Sequence, residues 1–571
     1  MATRPPYPIP FPLSSFPGAT SQESSGRLVN CTAEPLGEGT GPAKQVWRRQ
    51  PGLTQFAPTG QTGYRGGLVV NNLSYEVFKN EDLTVDNSLV PVVNLLGNFP
   101  GTKKVSIARN QAATPDVVGV DIDNGAYQLS TGGAPVAYNG GGNLPQPNSV
   151  CFQDGYFFFT ISDGRCFASG LNALTQNALT FITAQSKSDV VLLRGIAYSG
   201  LLFLFTTGGC EVWQDAAVAA PAFPYSRQVV LPFGLVQANA IAGWETGFDD
   251  LIWVGQDFGV WRLSFGSLSP QKISPPDLDR FIEAQVVAGN TLEAGCYMFG
   301  GKKFWHLSAP GGSWEFNLGT GKWNERESFN LATGLQGRWR FTGGHPAFGK
   351  WLGGDTQSGS IFYPEDQNYT EHAAPQLFRI ESGPVRDFPN QIRIARADFD
   401  FVVGEGQVTR ALLMNVTGSS LGTGGVIRLA VSDTAGVSAN DTLNVASVGG
   451  TVEANGTWPA LVIDSTHLEL VGSVYANAFT SGGTVTDVTT PPNVVAPEVA
   501  VSCSKDGGNN WGNPLIRQLG QQMRTKGVRI SVKSMGLSNI AGVRWRLDVT
   551  DGVYVGLLGG TQNSDPKEVG G

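Results

Sequence analysis

The stretch C-F-Q-D-G-Y-F-F-F-T-I-S-D-G-R-C-F (Cys151–Phe167) decides the fold class. A run of aromatic and β-branched residues meets an Asp-Gly turn, a second run follows, and a further Asp-Gly closes it. That is the pattern of antiparallel hairpins. It returns in V-V-L-L-R-G-I-A-Y-S-G-L-L-F-L-F-T-T-G-G-C-E-V-W (Val190–Trp213) and in W-E-T-G-F-D-D-L-I-W-V-G-Q-D-F-G-V-W-R-L (Trp244–Leu263). The spacing of roughly 40–50 residues is the blade period of a β-propeller.

Working outward, Gly67–Phe78 and Val117–Leu129 repeat the pattern upstream, and Gly295–Leu307 and Lys350–Tyr363 repeat it downstream. The units share grammar and no fixed motif. They predict an all-β chain with a propeller of about six or seven blades over residues 55–370. A sandwich or barrel built from the same hairpins is the competing architecture. The Trp-rich end of this region (Trp305, Trp314, Trp323, Trp339, Trp351) reads as packing between blades, with a glycan platform as the alternative.

Residues 1–54 read as a Pro-rich arm. Arg4–Pro12 favours extended polyproline backbone, and its apolar side chains need a partner surface, which we expect on a neighbouring subunit, with a disordered tail as the alternative. After Tyr369 the texture changes. Gln391–Gly406 alternates as a half-solvated strand does. From Gln407 to Val495 the only basic residues are Arg410 and Arg428. This break predicts a small β-module at 407–495, inserted into a C-terminal β-domain made of 371–406 and 496–571. Helical periodicity is confined to Pro276–Val287, with Asp277 or Asp279 near the helix start.

Composition narrows the function. The 571 residues include 75 Gly and 34 Pro, carry only 15% charged residues and have a net charge of −8. With no block of Lys or Arg, the surface does not grip nucleic acid by neutralising phosphates, although a neutral wall suits DNA that slides past. The six cysteines lack zinc-site spacing and are expected as reduced thiols, with Cys151 and Cys166 able to approach across one hairpin. No signal peptide is apparent, and no apolar run is long enough for a membrane span. His306, His345, His372 and His467 are scattered, so neither a metal nor a cofactor is expected. Asp249-Asp250 falls in a repeat turn, and no catalytic constellation is expected.

One motif is distinct. Ser504-Lys505-Asp506-Gly507-Gly508-Asn509-Asn510-Trp511 fits S-x-D-x-G-x-x-W, an Asp-box, with Ser504, Asp506, Gly508 and Trp511 as its structural residues. The expected hairpin has Ser and Asp side chains bonding turn backbone, Gly in an unusual conformation, and Trp packed beneath.

Three features together resemble a known family. R-R-Q-P-G-L (Arg48–Leu53) leads to Y-R-G-G-L-V-V (Tyr64–Val70). The Asp-box hairpin stands near the C-terminus, followed by P-L-I-R-Q-L-G (Pro514–Gly520), V-R-I-S-V-K-S-M-G (Val528–Gly536) and V-R-W-R-L-D-V-T-D (Val543–Asp551). The arrangement resembles the packaged-DNA stabilisation, or tail-hub, proteins of short-tailed phages, and their tubular nozzle proteins. The insertion resembles small β-modules of phage structural proteins. The resemblance implies a non-enzymatic virion protein of the tail, assembled in the host cytoplasm. It implies a ring, commonly of six copies, between the portal–adaptor complex and the distal fibre, spike or needle proteins. Such a ring passes double-stranded DNA transiently and retains it, with no membrane insertion. The alternative is a tail-associated propeller glycosidase or a glycan-binding adhesin.

Overall fold

The structure is a computed structural model describing residues 7–37, 43–88, 90–184, 191–218, 221–372, 374–403, 413–432, 434, 437, 441–488, 497–520 and 527–563. Its centre is a seven-bladed β-propeller. Blades 1 to 6 start with the strands Tyr64–Val70, Val105–Arg109, Ser149–Gln153, Leu192–Tyr198, Ile241–Ala242 and Glu293–Phe299, and each runs outward through four antiparallel strands. The hairpin turns match the sequence grammar. In blade 3, Cys151 faces Phe158 and Gln153 faces Tyr156 across the turn, where Gly155 takes φ +91°.

Blade 7 closes the ring from both ends of the region. Its inner strands are Phe341–Ala347, Lys350–Asp355 and Ser360–Glu365, and its outer strand is Gly52–Pro58, with Tyr363 opposite Thr54 and Glu365 opposite Gly52. The outer strand thus comes from a segment that the sequence reading left within the arm and the approach to the first blade.

Blades pack through alternate inward side chains. Trp253, Trp305 and Trp339 are fully buried, and Trp314, Trp323 and Trp351 are nearly so. Trp305 meets Trp323 edge-on at 6.1 Å. These tryptophans form core, as aromatic strands between sheets do, and are not an exposed platform. The helix Pro276–Val287 joins blades 5 and 6 and buries Leu278 and Ile282. Pro276 fills its first position, Asp277 and Asp279 its first turn, where negative charge meets the positive end of the helix.

Residues 7–37 and 43–54 and the C-terminal strands differ from the expected arm and separate domain; Arg4–Pro6 of the Pro-rich run lie outside the described residues. Arg27–Val29, Phe378–Glu381 and their neighbours build a sandwich continuous with the propeller. The outer strand of blade 6, Lys322–Asn330, is followed in the same sheet by Arg27–Val29, Phe378–Glu381, Arg544–Val549, Glu498–Ser504 and Leu515–Gln518. The facing sheet takes Cys31–Pro35, Gln45–Arg49, Val555–Gln562, Arg393–Val403 and Gly527–Leu537, with Tyr7–Pro8 added on Val555–Gln562. Phe11 packs on Trp47 at 5.5 Å and on Phe399 at 6.4 Å, and Phe399 packs on Trp545 at 5.4 Å. The apolar side chains of the N-terminal segment therefore find their partner surface within their own chain. The physical reason is area: Ile9 and Phe11 fill a core that the C-terminal strands alone leave open.

The chain divides into two compact units. One comprises Met1–Val402, Glu498–Arg517 and Gly527–Gly571; the other comprises Val403–Pro497 and Gln518–Lys526. The second contains a closed six-stranded barrel, in the order Leu413–Leu421, Ile427–Val431, His467–Leu470, Gly456–Asp464, Thr442–Ala446 and Thr484–Asp487. Ile427, Leu429, Leu443, Leu468, Leu470 and Val485 fill it. Its strands alternate apolar-in and polar-out, which is how a small closed barrel supplies its own core.

Candidate functional site

The first strand of every blade faces the propeller axis. Together these strands enclose a cavity of about 660 Å³, a ligand-sized volume. Glycines bring the strands close enough to enclose it. At Gly344, with φ +133°, an added Cβ would lie 1.9 Å from the Cys296 carbonyl oxygen, and at Gly295 it would lie 2.1 Å from that of Gly343. No side chain fits there, so blades 6 and 7 meet backbone to backbone.

The cavity wall is polar in places, and most of its charge is internally spent. Arg65, nearly fully buried, donates to the carbonyls of Lys103, Lys79, Phe99 and Pro100 and to Asp121 at 2.6 Å. Every guanidinium N–H group finds an acceptor, which is how a buried arginine becomes tolerable. Lys104 donates to the Tyr64 carbonyl at 3.0 Å and Thr342 Oγ1 at 2.9 Å, and lies 3.4 Å from Glu293. Burial works to raise the Glu293 carboxyl, but Lys104 and Arg338 outweigh it and hold it at about 2.

Blades 1 and 7 meet at a second cluster. His345 lies 3.0 Å from Ser74 Oγ, 3.5 Å from the Tyr64 hydroxyl and 3.2 Å from Glu76. His306 donates from Nε2 to the Gly343 carbonyl at 3.0 Å, and burial pushes its pKa down to about 3, so the ring is neutral. His372 and His467 stand apart from these two. Among the described residues no group of three or more His, Cys, Asp or Glu is arranged to hold a metal ion.

Arg194 differs from Arg65. It stacks on Trp244, with its guanidinium carbon 4.8 Å from the ring centroid. Its Nη1 donates to the Ala238 carbonyl at 2.9 Å and reaches Asn239 Oδ1 at 3.4 Å. Its Nε is buried without a hydrogen-bond partner. Glu245 lies nearby, with Oε2 accepting from the Gly243 N–H at 2.7 Å and the Cys296 thiol at 3.2 Å. Burial raises this carboxyl above its ordinary value. Sequence reading missed Arg194, Trp244, Lys104 and Glu293. The one signal they share is position, at the start of a repeat.

The predicted motif lies outside this cavity, at the end of the sandwich strand Glu498–Ser504. Asp506 accepts from Ser504 Oγ at 2.8 Å, from the Asn510 N–H at 2.9 Å and from the Asn510 side-chain amide at 2.7 Å. The Gly508 N–H donates to Ser504 Oγ at 2.8 Å, and Gly508 takes φ +103°. Trp511 is half-buried, with the Arg546 guanidinium 4.4 Å above its ring. The structure thus brings Ser504, Asp506, Gly508 and Trp511 together in one turn.

Asp250 is occupied by Arg262 at 2.7 Å and Lys303 at 3.3 Å, and Asp249 takes the turn position with φ +51°. The six cysteines are free thiols. Burial pushes Cys151 and Cys503 up to about 12, which leaves them protonated and unreactive.

A family model described as "Bacteriophage P22 Gp10, beta-propeller", of the phage-stabilisation family, matches residues 25–367, more than half of the chain. The chain belongs to that family. It is accordingly a structural protein of a phage particle, and the match takes in the sandwich strands Arg27–Val29, Cys31–Pro35 and Gln45–Arg49 as well as all seven blades. No curated protein sequence matches the chain. Among solved structures, the WD40 β-propeller domain of Doa1 is similar at 9% identity and a TM-score of 0.36, over 55% of this chain and 98% of that one. Virginiamycin B lyase from Staphylococcus aureus gives 11% and 0.34, over 55% and 98%, and BamB from Moraxella catarrhalis 10% and 0.32, over 59% and 97%. No described helix of the phage-stabilisation protein is long and apolar enough to cross a membrane.

Proposed function

We propose that this phage-stabilisation protein is a tail-hub, or nozzle, subunit that assembles into a closed ring and holds packaged DNA in the particle. The observation that carries the reading is the family match across the propeller and the strands that close it. The ring, its six copies and its place between the portal–adaptor complex and the distal fibre, spike or needle proteins follow from the resemblance of the Arg48–Leu53 and Ser504–Trp511 regions to tail-hub proteins.

Two features support the reading. The axial cavity is ligand-sized, so the DNA path lies between copies and not through a propeller. The chain carries 47 acidic against 39 basic residues and no block of Lys or Arg. Retention then works by steric closure and not by phosphate binding, since the latter needs many cations along the duplex backbone. Heterologous contacts that repeat with a fixed rotation close such a ring.

Electron microscopy of the purified chain tests the assembly. We expect closed rings with a central opening wide enough for a duplex. Monodisperse single copies at all concentrations, together with absence of the chain from the tail axis of particles, would reject the hub reading.

A further inference from the structure

Each compact unit exposes apolar side chains at neighbouring positions, and the two sets differ in the charge around them. On the barrel, Pro459 and Leu461 lie on the outer side of the strand Gly456–Asp464, where Ala460 between them faces the core. Thr442 stands opposite Pro459. The Val471 N–H donates to the Pro459 carbonyl and the Val488 N–H to the Thr442 carbonyl, both at 2.8 Å. Leu461, Val471 and Val488 are 43%, 45% and 44% exposed. Among the described residues of the barrel the only Lys or Arg is Arg428, bonded to Glu469 at 2.6 Å. The stretch 407–495 has six acidic residues against two basic.

The second set lies at one end of the sandwich. There the loop at 538–542 packs on the turn at 387–390: the Ser538 N–H donates to the Ile392 carbonyl at 2.9 Å, and Arg386 Nε to the Ala541 carbonyl at 2.8 Å. This end presents Phe388, 78% exposed, with Leu537 and Ile540. Arg393 stands opposite Leu537, and the Asn539 N–H donates to the Lys505 carbonyl. Arg386, Arg393, Lys505 and Lys533 are exposed and form no ion pair among the described residues. The acids of this end are fewer: Glu23, beside the Gln22 carbonyl that accepts from Arg386, Asp387, which accepts from the Tyr7 hydroxyl, and Asp506, which holds its own turn.

We propose that the apolar surface of the barrel docks on the sandwich end of a second copy, with Phe388 as the aromatic anchor, and that this contact joins the subunits of the ring. The inference rests on the ring reading and names the two surfaces that make it. Charge decides the pairing. Either surface set against its own counterpart brings like charges together, whereas barrel against sandwich end brings an acidic surface to unpaired cations. The contact is therefore head to tail, and head-to-tail contacts between copies of one chain close into a ring when the rotation allows. Apolar side chains left in solvent beside one another supply the area that such a contact buries.

Sedimentation velocity of the full chain, its two surface variants and their mixture tests this. The wild-type chain is expected to self-associate between about 1 and 100 μM. Leu461→Asp with Val471→Asp spoils only the barrel surface, and Arg393→Glu with Lys505→Glu spoils only the sandwich end. Each variant is expected to weaken self-association by about tenfold or more. An equal mixture of the two is expected to form one-to-one pairs and stop there, because one variant brings an intact sandwich end and the other an intact barrel. A mixture that stays as single copies overturns the proposal. Rings undiminished in either variant also overturn it, and leave the ring reading standing on another interface. Wild-type single copies up to about 100 μM overturn it too, and leave the barrel surface to a different protein. A second measurement needs no variant. Carbodiimide cross-linking of an equal mixture of ¹⁵N-labelled and unlabelled wild-type chain reports contacts between copies as mixed-isotope links. Mixed links from Lys505 or Lys533 to barrel carboxylates support the contact, and their absence removes it.

Discussion

The two compact units are both all-β, yet they are assembled in opposite ways. The barrel between Leu413 and Asp487 takes its six strands from one contiguous stretch, and its core is drawn entirely from that stretch. The larger unit draws on distant ones: Gly52–Pro58 pairs with Ser360–Glu365, and Arg27–Val29 stands between Lys322–Asn330 and Phe378–Glu381. Long-range pairing makes the ring a single closed object, with few free ends for a load to peel. The barrel's strands pair only with one another. The difference separates what the architecture requires from what it carries.

The largest expected effect follows from the closing strand. Removing residues 1–58 leaves Ser360–Glu365 as an open edge and strips Phe11 and Trp47 from the sandwich core. We expect no cooperatively folding product, measured as loss of a thermal transition in soluble protein. A truncated chain that melts like the parent would break the comparison.

Arg65→Met is next. It leaves Asp121 buried without its counter-charge, which costs about 3–5 kcal/mol for a buried pair. Urea denaturation measures it, and a loss below about 1 kcal/mol would show that the wall does not depend on this pair. Asp506→Ala removes the acceptor for Ser504 and Asn510, with an expected loss of about 1–3 kcal/mol. Matched denaturation curves decide it, and identical midpoints would mean the hairpin holds without its carboxylate.

How much of this was legible depended on how far apart the interacting residues stand. The turn at Ser504–Trp511 was readable because its hydrogen bonds close within a few residues. The blade hairpins were readable for the same reason: Asp154-Gly155 joins two strands that pair immediately. The closure of blade 7 was hidden, since nothing in G-L-T-Q-F-A-P names a partner 300 residues away. The pairing of Arg194 with Trp244 joins two blades across 50 residues. Pro-rich Tyr7–Pro12 reads as an arm because Phe399, on which Phe11 packs, belongs to the far end of the chain.

The smallest effect is expected in the barrel. Replacing residues 407–495 with a short Gly-Ser linker should leave the melting temperature of the remainder within a few degrees, because the barrel core contains no residue from outside it. Loss of soluble, cooperatively folding protein would show that the contiguous unit is not separable after all.

The central claim concerns the particle. DNA content measured in particles assembled with and without this chain tests it most directly. The account predicts that particles lacking it package DNA and then lose it. Full retention of DNA without the chain, accompanied by loss of host-glycan degradation, would contradict the hub reading and favour a tail depolymerase.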